Sequence, residues 1–411
     1  MAISNVDRSY DRTQAREILQ KIIDFIGHGE VTSTDGVASH GHPCFYLLHT
    51  KDETAAKLDK ELTKKKEFNR YDICYIARKI IKYDLGEYDT CTTVKLLPRT
   101  MTMPAKIQLE NGVPIIVDTS AELKDYRGWK IAEINRVPIR DILSDIEDVT
   151  AYATDEWLEY KMETTLVSPM LTSLPSFHGS LDLIRYHIEK DDSTHDITMG
   201  RPGNYSLAGL RASHKGKENY SFEIKDDVVV IRYFRCRDQK RLDRLMYGLK
   251  KANEKQKITK YVIDLRDNRG GNIAITDQLL DLLKGNKLVT ITNGRIYSTG
   301  AMTLAKLKSI GSYTVGTDIG MSLDGFTDLQ KVAMDEVGLT ISRSVGGYEQ
   351  WDEDEKTYHH LTDEEFKKQY NADHLPELHF YHPDQHVYNT AEDTINGHDS
   401  QLEAALEYLA E

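Results

Sequence analysis

VIDLRDNRGGN, residues Val262 to Asn272, runs from an apolar, β-branched stretch into charge, amide and a Gly-Gly pair. The first half suits a buried strand and the second half a turn. Glycine also lets backbone approach a neighbour closely, so such a turn can bring bare N–H groups up to a reacting atom. The surrounding chain places this stretch in a sheet. From Tyr220, YSFEIKDDVVVIRYF reads as a hairpin and RLDRLMYGLKKANEK as an amphipathic helix. YVIDLRDNRGG is then strand and turn, AITDQLLDLLKG helix, KLVTITNG strand, TGAMTLAKLKSIG helix and YTVGT strand. Alternation of this kind is the pattern of parallel βαβ units.

Upstream, residues 12 to 83 read mainly as helix, with apolar residues at helical spacing in AREILQKIIDFI and FNRYDICYIARKIIKY. GHGEVTSTDGVASHGHP between them is loop-like. LLPRTMTMPAKIQLENGVPIIVDTS switches to short strands around an NG turn, and GWKIAEINRVPIRDILSDI reads as strand, tight turn and short helix. QLEAALEYLA closes the chain as an amphipathic helix.

With 411 residues the chain is long enough for two or three domains. Charged residues at 29% and hydrophobic ones at 39% are ordinary for a globular protein. A formal net charge of -13 argues against a nucleic-acid partner, and the 23 tyrosines are not striped with Lys or Arg. No window approaches the roughly 20 apolar residues of a membrane span, and the N-terminus shows no signal peptide. Cys44, Cys74, Cys91 and Cys236 lie far apart, which fits reduced thiols and a cytoplasmic setting. The pattern sets no oligomeric state.

Ligands of open parallel sheets sit at the carboxyl ends of the strands. Two such ends are unusual here: DNRGG after the VIDL strand, and GRIYSTGAM after the VTIT strand. The second puts Ser298 at a strand-to-helix turn, where a hydroxyl can be a nucleophile with the Thr299 N–H aimed at a developing oxyanion. Gly270 and Gly271 can supply a second N–H. Taken alone, Ser298 reads equally as a helix N-cap, and the Gly-Gly pair as a plain turn.

Together, these segments resemble the tail-specific, or C-terminal processing, serine peptidases, whose relatives include the tricorn core. VIDLRDNRGGN is similar to their D-L-R-x-N-x-G-G signature, and GRIYSTGAMTLAKLKSIGSYTVGT to their nucleophile segment. GWKIAEINRVPIRDIL resembles the carboxylate-binding part of their PDZ-like domain. VGLTISRS and HPDQHVYNTAEDTINGHDSQLEAALEYL are similar to their closing segments, and the order holds from about residue 80 to the C-terminus. The resemblance implies an α/β multidomain protein: a helical N-terminal region over 1–100, a PDZ-like β-rich insert over 101–150, a connecting segment over 151–219, and a ClpP/crotonase-like ββα core over 220–411. It implies Ser298 as nucleophile, an oxyanion hole from Gly270, Gly271 and Thr299, and a peptide bound near Gly128, Trp129 and Ile131. No cofactor is implied.

The family splits over its base. One branch uses a Lys about 25 residues after the Ser; here Leu323 stands near that position and no lysine occurs from Gly316 through Leu329. The tricorn-like branch uses the His of a D-x-H-T motif, which corresponds to EYDTCTTVKL with Cys91 at the histidine position. An imidazole with a pKa of about 6.5 can accept the serine proton, whereas a thiol near about 8.5 is mostly protonated at neutral pH. Cys91 can therefore mark a loss of the base, leaving a peptide-binding pseudo-peptidase, or another histidine (His40, His42 or His178) can serve. Asp328 falls near the acidic residue that orients the family's His, and reads as well as a solvated loop residue. His40 and His42 lack a third ligand for a metal, and His359 and His360 read as surface loop. The expected activity is hydrolysis of peptide bonds in peptide or protein substrates. The alternatives are a catalytically impaired peptide binder and a small-molecule-binding domain of the same fold.

Overall fold

Residues 8–32, 38–97, 103–177, 183–200 and 219–411 are described by the computed structural model. His178 lies outside them. Helices α1 (Arg12–His28), α2 (Lys51–Thr63) and α3 (Arg70–Leu85) occupy the N-terminal region, each opened by a side-chain cap with a reciprocal capping box, from Asp11, Thr50 and Asn69. Their apolar faces, including Leu19, Ile22, Leu58, Leu62, Ile73 and Ile80, form one core. Strand β1 (Thr93–Leu96) follows.

A second core is built on β2 (Ala105–Glu110), β3 (Val113–Thr119), β4 (Lys130–Ile134), β5 (Leu183–Lys190) and β6 (Ser193–Gly200), in the order β6-β5-β4-β3-β2. Asn111 and Gly112 close the β2–β3 hairpin, both at positive φ, as the NG signal requires. Helices α4 (Ile139–Asp148) and α5 (Asp155–Leu166) pack on this sheet. Residues 151–219, expected as a connecting segment, thus contribute α5 and the β5–β6 hairpin. Leu158, Met162, Tyr186 and Ile188 share a core with Ile107, Ile116 and Ile131. The expected boundary at 150 falls between residues that share that core.

The third unit is the βαβ sheet: β7 (Tyr220–Lys225), β8 (Val228–Tyr233), β9 (Lys260–Asp264), β10 (Lys287–Thr292) and β11 (Tyr313–Gly316), in that spatial order, with Gln385–His386 on the far edge. β7 runs antiparallel to β8 and the others are parallel. Val229, Ile231, Ile263 and Leu288 face helices α6 (Gln239–Lys255), α7 (Asp277–Leu283) and α8 (Thr299–Ser309). Val230, Val262, Val289 and Ile291 face α9 (Ser400–Ala410) on the other side. Continuous β-branched runs are what a sheet covered on both faces demands. The whole is an α/β multidomain architecture, as the alternation predicts. The chain then returns to the first core: β12 (Leu329–Met334) pairs with β13 (Leu339–Ser344), which pairs with β1. His359 and His360, expected in a loop, sit on the strand Thr357–Leu361 and bond to Asp352 and Glu349. All four cysteines are free, and among the described residues no helix is long and apolar enough to cross a membrane.

Candidate active site

The end of β9 is held by two side chains. Arg266 donates to both oxygens of Asp264 and to both of Asp399, the N-cap of α9, and these carboxylates hold its guanidinium firmly protonated against the cost of burial. Asn268 is fully buried. Its amide donates to Tyr233 O at 2.8 Å and its oxygen accepts from Gly270 N at 2.9 Å. The Gly270 N–H is therefore already engaged, and of the expected oxyanion donors Gly271 N–H and Thr299 N–H remain without an acceptor among the described residues.

This turn lies against the start of α8. Gly270 has φ +78°, and a Cβ there would come within 2.6 Å of Thr299 N and 2.9 Å of Ser298 Cβ. Gly271, at φ +151°, accepts from Thr299 Oγ1 at 3.1 Å. Ser298 holds φ 55° and ψ −134° at the N-cap position, yet its side chain makes no cap hydrogen bond and is exposed. A non-glycine residue at positive φ costs on the order of 1–3 kcal/mol, so the surroundings must enforce it. Tyr297 N donates to Asn268 O, Ala301 N donates to Ser298 O, and the Met321 sulfur lies 2.8 Å from Ser298 N. The fold thus presents the Ser298 hydroxyl at a sharp strand-to-helix elbow, with Thr299 N–H at the first helical position beside it.

The DTCTT segment is spent differently. The Asp89 carboxylate accepts from Cys91 N at 2.7 Å, Thr92 N at 3.1 Å, Thr92 Oγ1 at 2.6 Å and His42 Nε2 at 2.8 Å. Burial works to raise this carboxyl, but the bonds from His42, Thr92 and Cys91 outweigh it and hold it below the usual range. His42 is buried and accepts from Cys44 N at its Nδ1, so both ring nitrogens are occupied. Its Nε2 consequently carries the proton that Asp89 accepts. The Cys91 thiol lies against the Tyr297 hydroxyl, which also bonds Thr90 Oγ1. Burial, followed by the neighbouring Asp89 charge, pushes that thiol up to about 11, so it is protonated at neutral pH. Neither Cys91 nor His42 is poised to take the serine proton.

Asp328 is exposed at φ 49° in the turn before β12, and its carboxylate forms no hydrogen bond or ion pair among the described residues. Gly128, Trp129 and Ile131 lie at the start of an interior strand: Gly128 N donates to Ile116 O, Ile116 N donates to Trp129 O, and Ile131 pairs with Ile188 of β5. Ile131 is buried in the core. A peptide added as a strand needs free backbone groups, and these are already bonded across the sheet. The His40 backbone lies in the short strand Ala38–His40. Sequence reasoning missed the Asp89–His42 pair, which 47 residues separate; the only signal was an HxH pattern in a loop. Asn268 was within the quoted motif, but its role in holding Gly270 needed coordinates.

Residues 228–364 match Peptidase family S41. This segment belongs to the S41 peptidases. It contains Gly270, Gly271 and Ser298, and the family is the one the motifs resemble. Among solved structures, mature CPAF complexed with lactacystin has a TM-score of 0.60 at 12% identity, over 97% of this chain and 97% of that one. Mature CPAF alone gives 0.58 at 12% identity, over 97% of this chain and 96% of that one. At that identity the likeness is one of fold. No curated protein sequence matches the chain.

Proposed function

We propose that the protein is a serine-type peptidase that cleaves peptide or protein substrates through an acyl-enzyme at Ser298. The Ser298 Oγ bonds to the scissile carbonyl carbon, and the carbonyl oxygen becomes an oxyanion held by Gly271 and Thr299 N–H. Collapse of that adduct breaks the C–N bond, and the amine leaves with the proton given up by the serine. Water then cleaves the ester and frees the acid. The observation that carries this reading is the Ser298 hydroxyl, which sits at an N-cap without capping while the elbow forces it outward. An N-cap serine with a purely structural role would bond to the helix N–H groups.

A second reading has its own support. With Cys91 protonated and both His42 nitrogens occupied, the position of the family's base carries no proton acceptor, which favours a peptide binder of weak or no turnover. A serine-directed fluorophosphonate separates the two. Labelling of the unmodified chain that vanishes in Ser298→Ala supports the enzyme. Labelling that appears only in Cys91→His supports the impaired reading. Labelling in neither form, with the fold intact by circular dichroism, would sink the nucleophile assignment.

A further inference from the structure

Beside this elbow, on the side of the DTCTT segment, is a cavity of about 230 Å³. Its wall is cationic: Arg78 from α3, Lys95 from β1, Lys161 from α5 and Arg269 from the turn before Gly270 all line it, with Thr90 and Tyr160 between them. None of the described lining residues is acidic. Buried charges in proteins are normally paired. Arg78 is only 8% exposed, and its Nη1 is buried without a hydrogen-bond partner. The Arg269 guanidinium lies 4.3 Å from the centre of the Tyr160 ring, and the Lys161 ammonium 4.2 Å from that of Trp157. Aromatic faces soften the desolvation of these cations but supply no negative charge. Burial first, and then Lys95, Arg269 and Arg78, push Lys161 down to about 7, against the opposing pull of Cys91.

Like charges gathered in one partly buried space repel one another, and an anion in their midst relieves both the repulsion and the unmet Arg78 donor. We propose that this cavity binds the side-chain carboxylate of an acidic residue in a substrate peptide, and so selects what is presented to Ser298. The volume is below that of a pocket for a drug-sized ligand and suits a single residue. Its wall continues into the elbow: Arg269 precedes Gly270, Thr90 bonds the Tyr297 hydroxyl, and Trp157 stacks on Tyr297 at 4.3 Å between ring centres. Cavity and elbow are thus joined through Arg269 and Tyr297, and on this proposal the occupant is part of the peptide whose carbonyl meets the hydroxyl. The role as a specificity pocket rests on the peptidase reading; the carboxylate binding does not.

The test uses the full chain carrying Ser298→Ala, so that binding is read without turnover. Four fluorescein-labelled alanine-rich octapeptides differ only in Glu or Gln at the fifth position and in a free or amidated C-terminus, and affinities come from fluorescence anisotropy. If the side chain is the source, the amidated Glu peptide binds about tenfold or more tightly than its Gln counterpart. A gain shown by the free-ended Gln peptide over the amidated one, with none from Glu, would overturn the proposal. That Glu gain falls to within about twofold when Lys161→Gln or Arg269→Gln is added, with thermal melts confirming a folded chain. Four peptides binding alike, none binding, or a gain that survives both substitutions would overturn the proposal. Inertness to fluorophosphonate of the chain that keeps Ser298, together with a retained carboxylate gain in the Ser298→Ala chain, would end the peptidase reading and leave the pocket standing.

Discussion

The turn after β9 and the DTCTT segment meet at Tyr297, and they treat polar groups in opposite ways. Around Ser298 the fold leaves groups unsatisfied: a hydroxyl that does not cap, and the N–H groups of Gly271 and Thr299. Around Asp89 it satisfies everything, with four donors on one carboxylate and both nitrogens of His42 engaged. Open donors in a strained turn are costly to keep and are worth keeping for a ligand or a transition state. A carboxylate with saturated bonds stabilises the fold and offers nothing to a substrate. Of the two segments, only the turn beside Ser298 retains donors without an acceptor among the described residues.

The sharpest way to break this contrast is at Gly270. A Cβ in Gly270→Ala would press on Thr299 N and Ser298 Cβ at a positive φ, so fluorophosphonate labelling or peptide hydrolysis should fall by about 10²-fold or more. A variant that labels at the unmodified rate would show that the elbow does not depend on that contact. A smaller effect, on stability, is expected from His42→Ala. Leaving the buried Asp89 without its imidazole partner should cost about 2–4 kcal/mol in denaturant melts at pH 7. Because the folded Asp89 carboxyl sits below its ordinary 3.8, its contribution is fully present above that value and is lost as pH falls through the lower folded one. The acid limb of the variant's stability curve should accordingly be flatter than that of the unmodified chain. Collapse of labelling with unchanged stability would instead make His42 part of the chemistry. The smallest expected effect is at Cys91. With its thiol near about 11 instead of 9.0, carbamidomethylation at pH 7.5 should run about 10²-fold slower than for an ordinary thiol, accelerating only in strong alkali. Rapid alkylation at neutral pH would show that the buried thiol is not held protonated.

The strands of the sheet were legible because they alternate with helices and are apolar on both faces, and the elbow was legible because glycine pairs and a helix-start serine recur one βα unit apart. What stayed hidden was long-range. Nothing in the local pattern says that His42 reaches Asp89, that Asn268 occupies the Gly270 N–H, or that β5 and β6 complete the sheet of the insert. The expectations at Asp328 and at Gly128 to Ile131 were alignments by position; one carboxylate turned out to point to solvent, and the backbone of the other stretch was already paired. The cationic cavity draws one residue from each of four elements, so no window of sequence contains it.

Arg266 joins the end of β9 to Asp399, the residue that caps the final helix. The closing amphipathic segment is therefore a latch on the turn that follows β9. Halting translation where the family match stops, at residue 364, would strip the largely buried Arg266 guanidinium of one counter-ion and uncover Val262, Val289 and Ile291. A shortened chain of that kind should precipitate on expression, so the minimal unit for any activity assay has to keep Asp399 and the whole of α9.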